Sequence, residues 1–151
     1  AGFRWFLVLG SWKWLPMSKL HYRDLVVWQR AIDLVPQTYD VVRKLPREET
    51  YALGDQLRRA AISIPANIAQ GQARRHSRGF LQDLAIARGS LAKLNTLLIL
   101  AQRLDYLTPA TLGELNGPLQ GVAKPLHGMV SSLAKSLAPT TKNQEPRTKT
   151  P

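Results

Sequence analysis

The sequence predicts an all-α fold, an antiparallel up-down-up-down four-helix bundle. Four long segments repeat apolar residues at spacings of three and four. The connections between them are short and rich in residues that stop or start helices. No stretch alternates with period two for long enough to make a sheet. At 151 residues the chain fits one domain, large enough to bury roughly 70% of its unfolded surface.

Residues Ala1–Pro16 read as a non-domain extension ahead of a bundle over residues 17–138. Phe3, Trp5, Phe6, Trp12 and Trp14 crowd into a stretch that ends at Pro16, directly before Met17. Its apolar core, Trp5–Leu9, is too short for a signal-peptide centre or a membrane span, and no small-residue cleavage site follows. It reads as translated upstream sequence with Met17 the natural start. The rival reading is an aromatic arm that docks on a partner or a membrane surface.

The first helix is predicted from Asp24, as N-cap, to Lys44. Leu25, Trp28, Ile32, Val35, Tyr39 and Val42 form its stripe, with a kink at Pro36. Arg43 and Lys44 suit the negative C-terminal end, and Leu45-Pro46 stops the helix. Glu48 and Glu49 favour the start of the second helix, which is predicted to run to Gln70. Leu57, Ala60, Ala61, Ile64 and Ile68 form its stripe, and Pro65 interrupts it by removing the bond to the Ala61 carbonyl. Ser63 and Asn67, one turn apart, are placed to satisfy the freed backbone groups. Gly71 is read as the left-handed residue that closes the helix.

Arg74 to Arg78 form the next loop, with Ser77 as cap. The third helix is predicted from Arg78 to Leu104. Leu84, Ala87, Leu91, Leu94, Leu98 and Ala101 make its stripe, widened by Leu97, Leu100 and Leu104. Gly89 and Ser90 face the small residues of the second helix in a close crossing. Thr108 caps the fourth helix and Pro109 takes its first position. Its stripe runs through Leu112, Leu115, Leu119, Val122, Leu126, Met129, Leu133 and Leu137. Gly113, Gly117, Pro118, Gly121, Pro125 and Gly128 oppose helix formation. Burial is expected to win, leaving an irregular helix. Residues 139–151 read as a disordered basic tail.

Catalytic chemistry finds no footing. The chain has no cysteine, which excludes a disulfide scaffold, a thiolate metal site and a cysteine nucleophile. His21, His76 and His127 are far apart in sequence, and none has a carboxylate at ligand spacing on the same helix face. No phosphate-cradling glycine loop and no Glu-x-x-His pair occurs. No catalytic residue, metal ligand, cofactor or small-molecule substrate is therefore assigned. The absence of cysteine also fits a reducing, cytoplasmic setting.

Charge is the remaining signal. The formal net charge is +11, a balance that attracts nucleic acid or anionic surfaces. Between Gln56 and Arg103 eight cations face Asp83 alone. The candidate nucleic-acid-binding residues are Arg58, Arg59, Arg74, Arg75, Arg78, Arg88 and Lys93, pictured as one outward strip on the second and third helices. Arg74, Arg75 and Arg78 cluster in the loop; Arg88 and Lys93 are not obviously co-facial. Solvated surface charge is the competing reading. Phe80 is the only aromatic of these two helices, so contact with the nucleic-acid backbone, of low specificity, is expected.

Leu25-x-x-Trp28-Gln29-x-Ala31, the run from Gln56 to Gly71, Ala87-x-Gly89-Ser90-Leu91 and Leu104-x-Tyr106-Leu107 resemble one family. It is the four-helix bundle proteins associated with intervening sequences of bacterial 23S ribosomal RNA genes, to which the accessory protein of diversity-generating retroelements looks related. The match covers about Lys19 to Leu137. The resemblance implies a homopentameric ring without known catalytic activity and, for the retroelement relatives, binding of RNA and a reverse transcriptase. Ser63, Pro65, Asn67 and Gly71 then mark a bent helix, and Gly89 and Ser90 a helix crossing. Members usually carry Glu at the positions of Gln70 and Lys93, which puts in doubt any ion pair those carboxylates would make. The glycine- and proline-rich fourth helix is also atypical. The expected function is a non-enzymatic, homo-oligomeric, pentameric scaffold that binds RNA or a ribonucleoprotein partner and no membrane. The alternative is a protein-binding adaptor without a nucleic-acid role.

Overall fold

The periodic segments fold into α1 (Val26–Lys44), α2 (Leu53–Ala73), α3 (Ser77–Arg103) and α4 (Pro109–Leu137). The structure, a computed structural model, describes residues 3–8, 11–16, 20–74 and 77–139. Consecutive helices run in opposite senses, as the residues that meet show. A Cβ on Gly54 would touch Val42, and Arg58 lies against the Tyr39 ring. Between α2 and α3, Gln56 meets Lys93, Ser63 meets Ser90 and Gln70 meets Asp83. Arg30 of α1 donates to the Gly121 carbonyl of α4, which closes the bundle.

Each helix buries one stripe in a shared core. On α1 the buried residues are Val26, Val27, Ala31, Leu34, Thr38, Val41 and Val42. Of the predicted stripe Leu25 and Val42 are buried and Trp28 packs against the core, while the centre of the stripe lies one position round. Ile32 is 40% exposed and Val35 and Tyr39 only half-buried. Thr38 can be buried because its hydroxyl donates to the Leu34 carbonyl at 2.9 Å. Asp24 does not cap α1. It belongs to a 3-10 turn, Tyr22–Asp24, and Leu25 takes the cap position without a side-chain bond. α1 continues through Pro36, which is exposed.

α2 continues past Gln70 to Ala73, so Gly71 is helical and does not close it. Its role is proximity: a Cβ there would lie 2.8 Å from Phe80 Cδ2 and 2.9 Å from Asp83 Cβ. Asn67 Nδ2 donates to the Ser63 carbonyl at 2.7 Å and to its hydroxyl at 3.0 Å. The carbonyl they engage is therefore that of Ser63, not the Ala61 carbonyl that Pro65 frees. Before α2, Glu48 and Glu49 form a separate 3-10 turn, from which Glu49 accepts the Leu53 N–H. The predicted α3 stripe is buried throughout, but Leu100 and Leu104 are 44% and 47% exposed. The helix ends with Asp105 in the left-handed region, φ 59°. Asp105 N–H bonds to Gln102 and Tyr106 N–H to Ala101, a Schellman closure without the usual glycine.

α4 is one unbroken helix that contains Pro118 and Pro125, and its stripe from Leu115 to Leu133 is buried. Burial overrode propensity there, as expected, without a break. Thr108 caps it, accepting the Thr111 N–H. Ahead of the bundle, β1 (Phe3–Val8) pairs antiparallel with β2 (Ser11–Pro16), Phe3 opposite Pro16 and Val8 opposite Ser11. No sheet was expected; aromatic and branched residues on either side of Leu9-Gly10 have the composition of a hairpin. Met17 and the tail beyond residue 139 lie outside the described residues.

Candidate nucleic-acid interface

α2 and α3 make the tightest pair because small residues line both sides of their crossing. Ala60, Ala61 and Ala87 are buried, and the Ser63 and Ser90 hydroxyls meet at 2.8 Å. Gly89 has no part in this approach: it is exposed, and a Cβ there would meet nothing within 4 Å.

The pair contains two carboxylates, and both are taken up internally. Asp55 pairs with Arg58, whose guanidinium also donates to the Thr50 carbonyl and packs on Tyr39. Arg58 is thereby a strap over the α1–α2 connection, not an outward cation. Asp83 is buried; Gln70 donates to its Oδ1 at 3.1 Å, and Arg74 Nε lies 3.4 Å from its Oδ2. A glutamate at either departing position would alter these contacts, since Gln70 serves as donor to Asp83 and Lys93 as donor to Gln56.

The predicted single strip is therefore not formed. Arg58 and Arg74 are committed, Arg75 lies outside the described residues, and Arg59 is roughly 22 Å from Arg74 along the helix axis at 1.5 Å per residue. A different surface takes its place. Arg78, Arg88, Lys93 and Arg103 are all exposed. At 100° per residue they fall within about 140° of the α3 surface, opposite the buried stripe. Among the described residues none of the four has a carboxylate partner, and the only acid on α3 is the buried Asp83. The charges on the outer face of α3 are thus all positive over about 37 Å, with Ile99 and Leu100 exposed among them. Arg103 was absent from the predicted set. The signal that marks it is its place on the same face, in a helix with one acid.

Ile86, at the edge of this face, and Ile62, on α2, are 45% and 46% exposed. Among the described residues no group of three histidine, aspartate or glutamate side chains gathers as a metal site. By length and composition alone α3 is long and apolar enough to cross a membrane. Here its apolar stripe is spent on the bundle core, and Arg88 and Lys93 stand near its middle, each costing about 3 kcal/mol at a bilayer centre.

Residues 23–128 match the family model described as 23S rRNA-intervening sequence protein. The chain belongs to that family. Among curated proteins none matches it. A solved structure of a protein of unknown function from the S23 ribosomal protein family of Bacteroides thetaiotaomicron VPI-5482 is similar, with a TM-score of 0.65 at 21% identity. The similarity covers 70% of this chain and 98% of that one, and at this identity it shows a shared fold. Neither match indicates a catalytic family. This 23S rRNA-intervening sequence family member shares its bundle with that structure, and the basic face of α3 is built from this chain's own residues.

Proposed function

We propose that this 23S rRNA-intervening sequence family member is a non-enzymatic cytoplasmic scaffold. It assembles with copies of itself, five by the family resemblance, and binds RNA or a ribonucleoprotein such as a reverse transcriptase complex. The observation that supports this best is the outer face of α3, where Arg78, Arg88, Lys93 and Arg103 have no carboxylate partner among the described residues. Cations dispersed along about 37 Å suit an extended polyanion better than a single phosphate group. Guanidinium forks suit phosphate oxygens.

Fluorescence anisotropy with a structured RNA tests it. Affinity falls with salt at about 0.7–0.9 log units per phosphate contact. The Arg78→Ala/Arg88→Ala/Arg103→Ala variant is expected to flatten that slope by about two to three and weaken binding. A variant that binds as tightly as the parent, with the same slope, would refute the assignment.

Exposed Ile62 and Ile86 favour a second reading, a protein-binding adaptor with no nucleic-acid role. A partner retained after nuclease treatment, from a preparation free of nucleic acid, distinguishes it.

A further inference from the structure

Between α3 and α4 lie two depressions of about 490 and 240 Å³. They share Asn95, Asn116 and Leu119, so they form one trough, running from Gln102 and Pro109 at one end to Arg88 and Ala123 at the other. Its size is that of a small-ligand site.

The trough gathers carboxamides that have nothing to do inside the fold. Asn95, Gln102, Asn116 and Gln120 line it, and none of their side chains has a hydrogen bond to another described residue. Elsewhere among the described residues every asparagine and glutamine except Gln82 is engaged, as Gln29, Gln56, Asn67 and Gln72 illustrate. Gly113 also lines the trough, and a Cβ there would meet nothing within 4 Å. No close packing requires this glycine, although a helix-interior glycine costs about 1 kcal/mol relative to alanine. What it provides is room.

Charge narrows the ligand. No carboxylate lines the trough, and Arg88 at one end is its only ionised group. A neutral or anionic ligand fits; a basic peptide does not. A carboxamide carries a donor and an acceptor in one plane, the complement of an adenine edge. Ile99, Leu112 and Leu119 supply apolar contact for the faces of a planar ring. Arg88 stands roughly 10 Å along α3 from Asn95, close enough for its long side chain to take the adjoining phosphate.

We infer that the α3–α4 trough binds an unpaired adenine base of single-stranded RNA, held by Asn95 and Asn116 with Arg88 on its phosphate. The inference rests on the RNA-binding reading and adds base recognition to a surface that otherwise sees only charge.

The full chain is titrated with fluorescent octa-adenylate and with an abasic ribose-phosphate chain of the same length. Octa-adenylate is expected to bind about tenfold tighter, the discrimination of one good bidentate pair. Asn95→Leu/Asn116→Leu, at exposed helix positions, is expected to bind the two chains alike. Gly113→Leu, which fills the trough while leaving the carboxamides in place, is expected to do the same. Equal binding of both chains by the parent overturns the base pocket and leaves the RNA reading standing. So does a preference that survives in both variants. Binding of neither chain at low salt overturns both readings.

Discussion

Gly71 and Tyr106 show how single positions hold this bundle. A methyl group at Gly71 would sit 2.8 Å from Phe80 Cδ2, so Gly71→Ala must push α3 away from α2. The expected destabilisation is about 1–3 kcal/mol, roughly 2–4 °C in Tm per kcal/mol at this chain length. Thermal unfolding followed by circular dichroism measures it, and an unchanged Tm would contradict the close approach. Tyr106 donates to Glu49 Oε1 at 3.2 Å, tying the α3–α4 turn to the α1–α2 connection. Burial first, and the Glu49 carboxylate next, raise its phenol above the ordinary 10.0. The folded state therefore binds the phenolic proton more tightly than the unfolded state. The stabilisation is complete below pH 10 and fades as pH rises through the raised value. Parent and Tyr106→Phe should accordingly differ most in Tm near neutrality and converge in alkali. A gap that widens with pH would reverse that sign.

At the scale of elements, the α2–α3 crossing is the firmest feature and the one the residues announced most clearly. Ala60, Ala61, Ser63, Ala87 and Ser90 are small, and their spacing brings two backbones together whatever the surroundings. Ser63→Ala and Ser90→Ala are expected to couple by about 0.5–1.5 kcal/mol in a double-mutant cycle read by denaturant unfolding. Additive effects would mean the two hydroxyls do not depend on each other. The stripes of α3 and α4 were legible because leucine dominates them. That of α1 was not. Its buried positions include Ala31 and Thr38, which hydropathy undervalues, while Ile32 invites the wrong face. Thr38 is acceptable in the core only because a backbone carbonyl one turn back takes its hydroxyl proton, a bond that periodicity does not reveal.

For the molecule as a whole, charge and apolar exposure lie side by side. Ile86 lies on α3 about 20° round from Lys93, at the edge of the positive outer arc, while Ile62 is exposed on the neighbouring α2. Copies or partners that cover Ile86 would therefore leave cationic groups beside the contact. Ile62→Asp/Ile86→Asp is expected to shift the light-scattering mass to that of the monomer, with helicity by circular dichroism unchanged. An assembly of unchanged mass would place the contact elsewhere. The candidate site was only half visible in the sequence. The surplus of arginine could be counted, but counting does not show which cations are already spent. Arg58 reaches Asp55 three residues away, and Arg74 reaches Asp83 across the turn between helices.

Leucine periodicity, helix-stopping turns and the motif from Gln56 to Gly71 were enough to determine an all-α bundle and its family, because burial of a continuous stripe outweighs local propensity even in α4. Helical spacing also places the basic arc of α3, but the strapped arginines and the trough of idle carboxamides were decided by tertiary structure alone. Each depends on which side chains from separate helices come within bonding distance, and helical spacing gives the angle of a residue on its own helix but not the partner it meets.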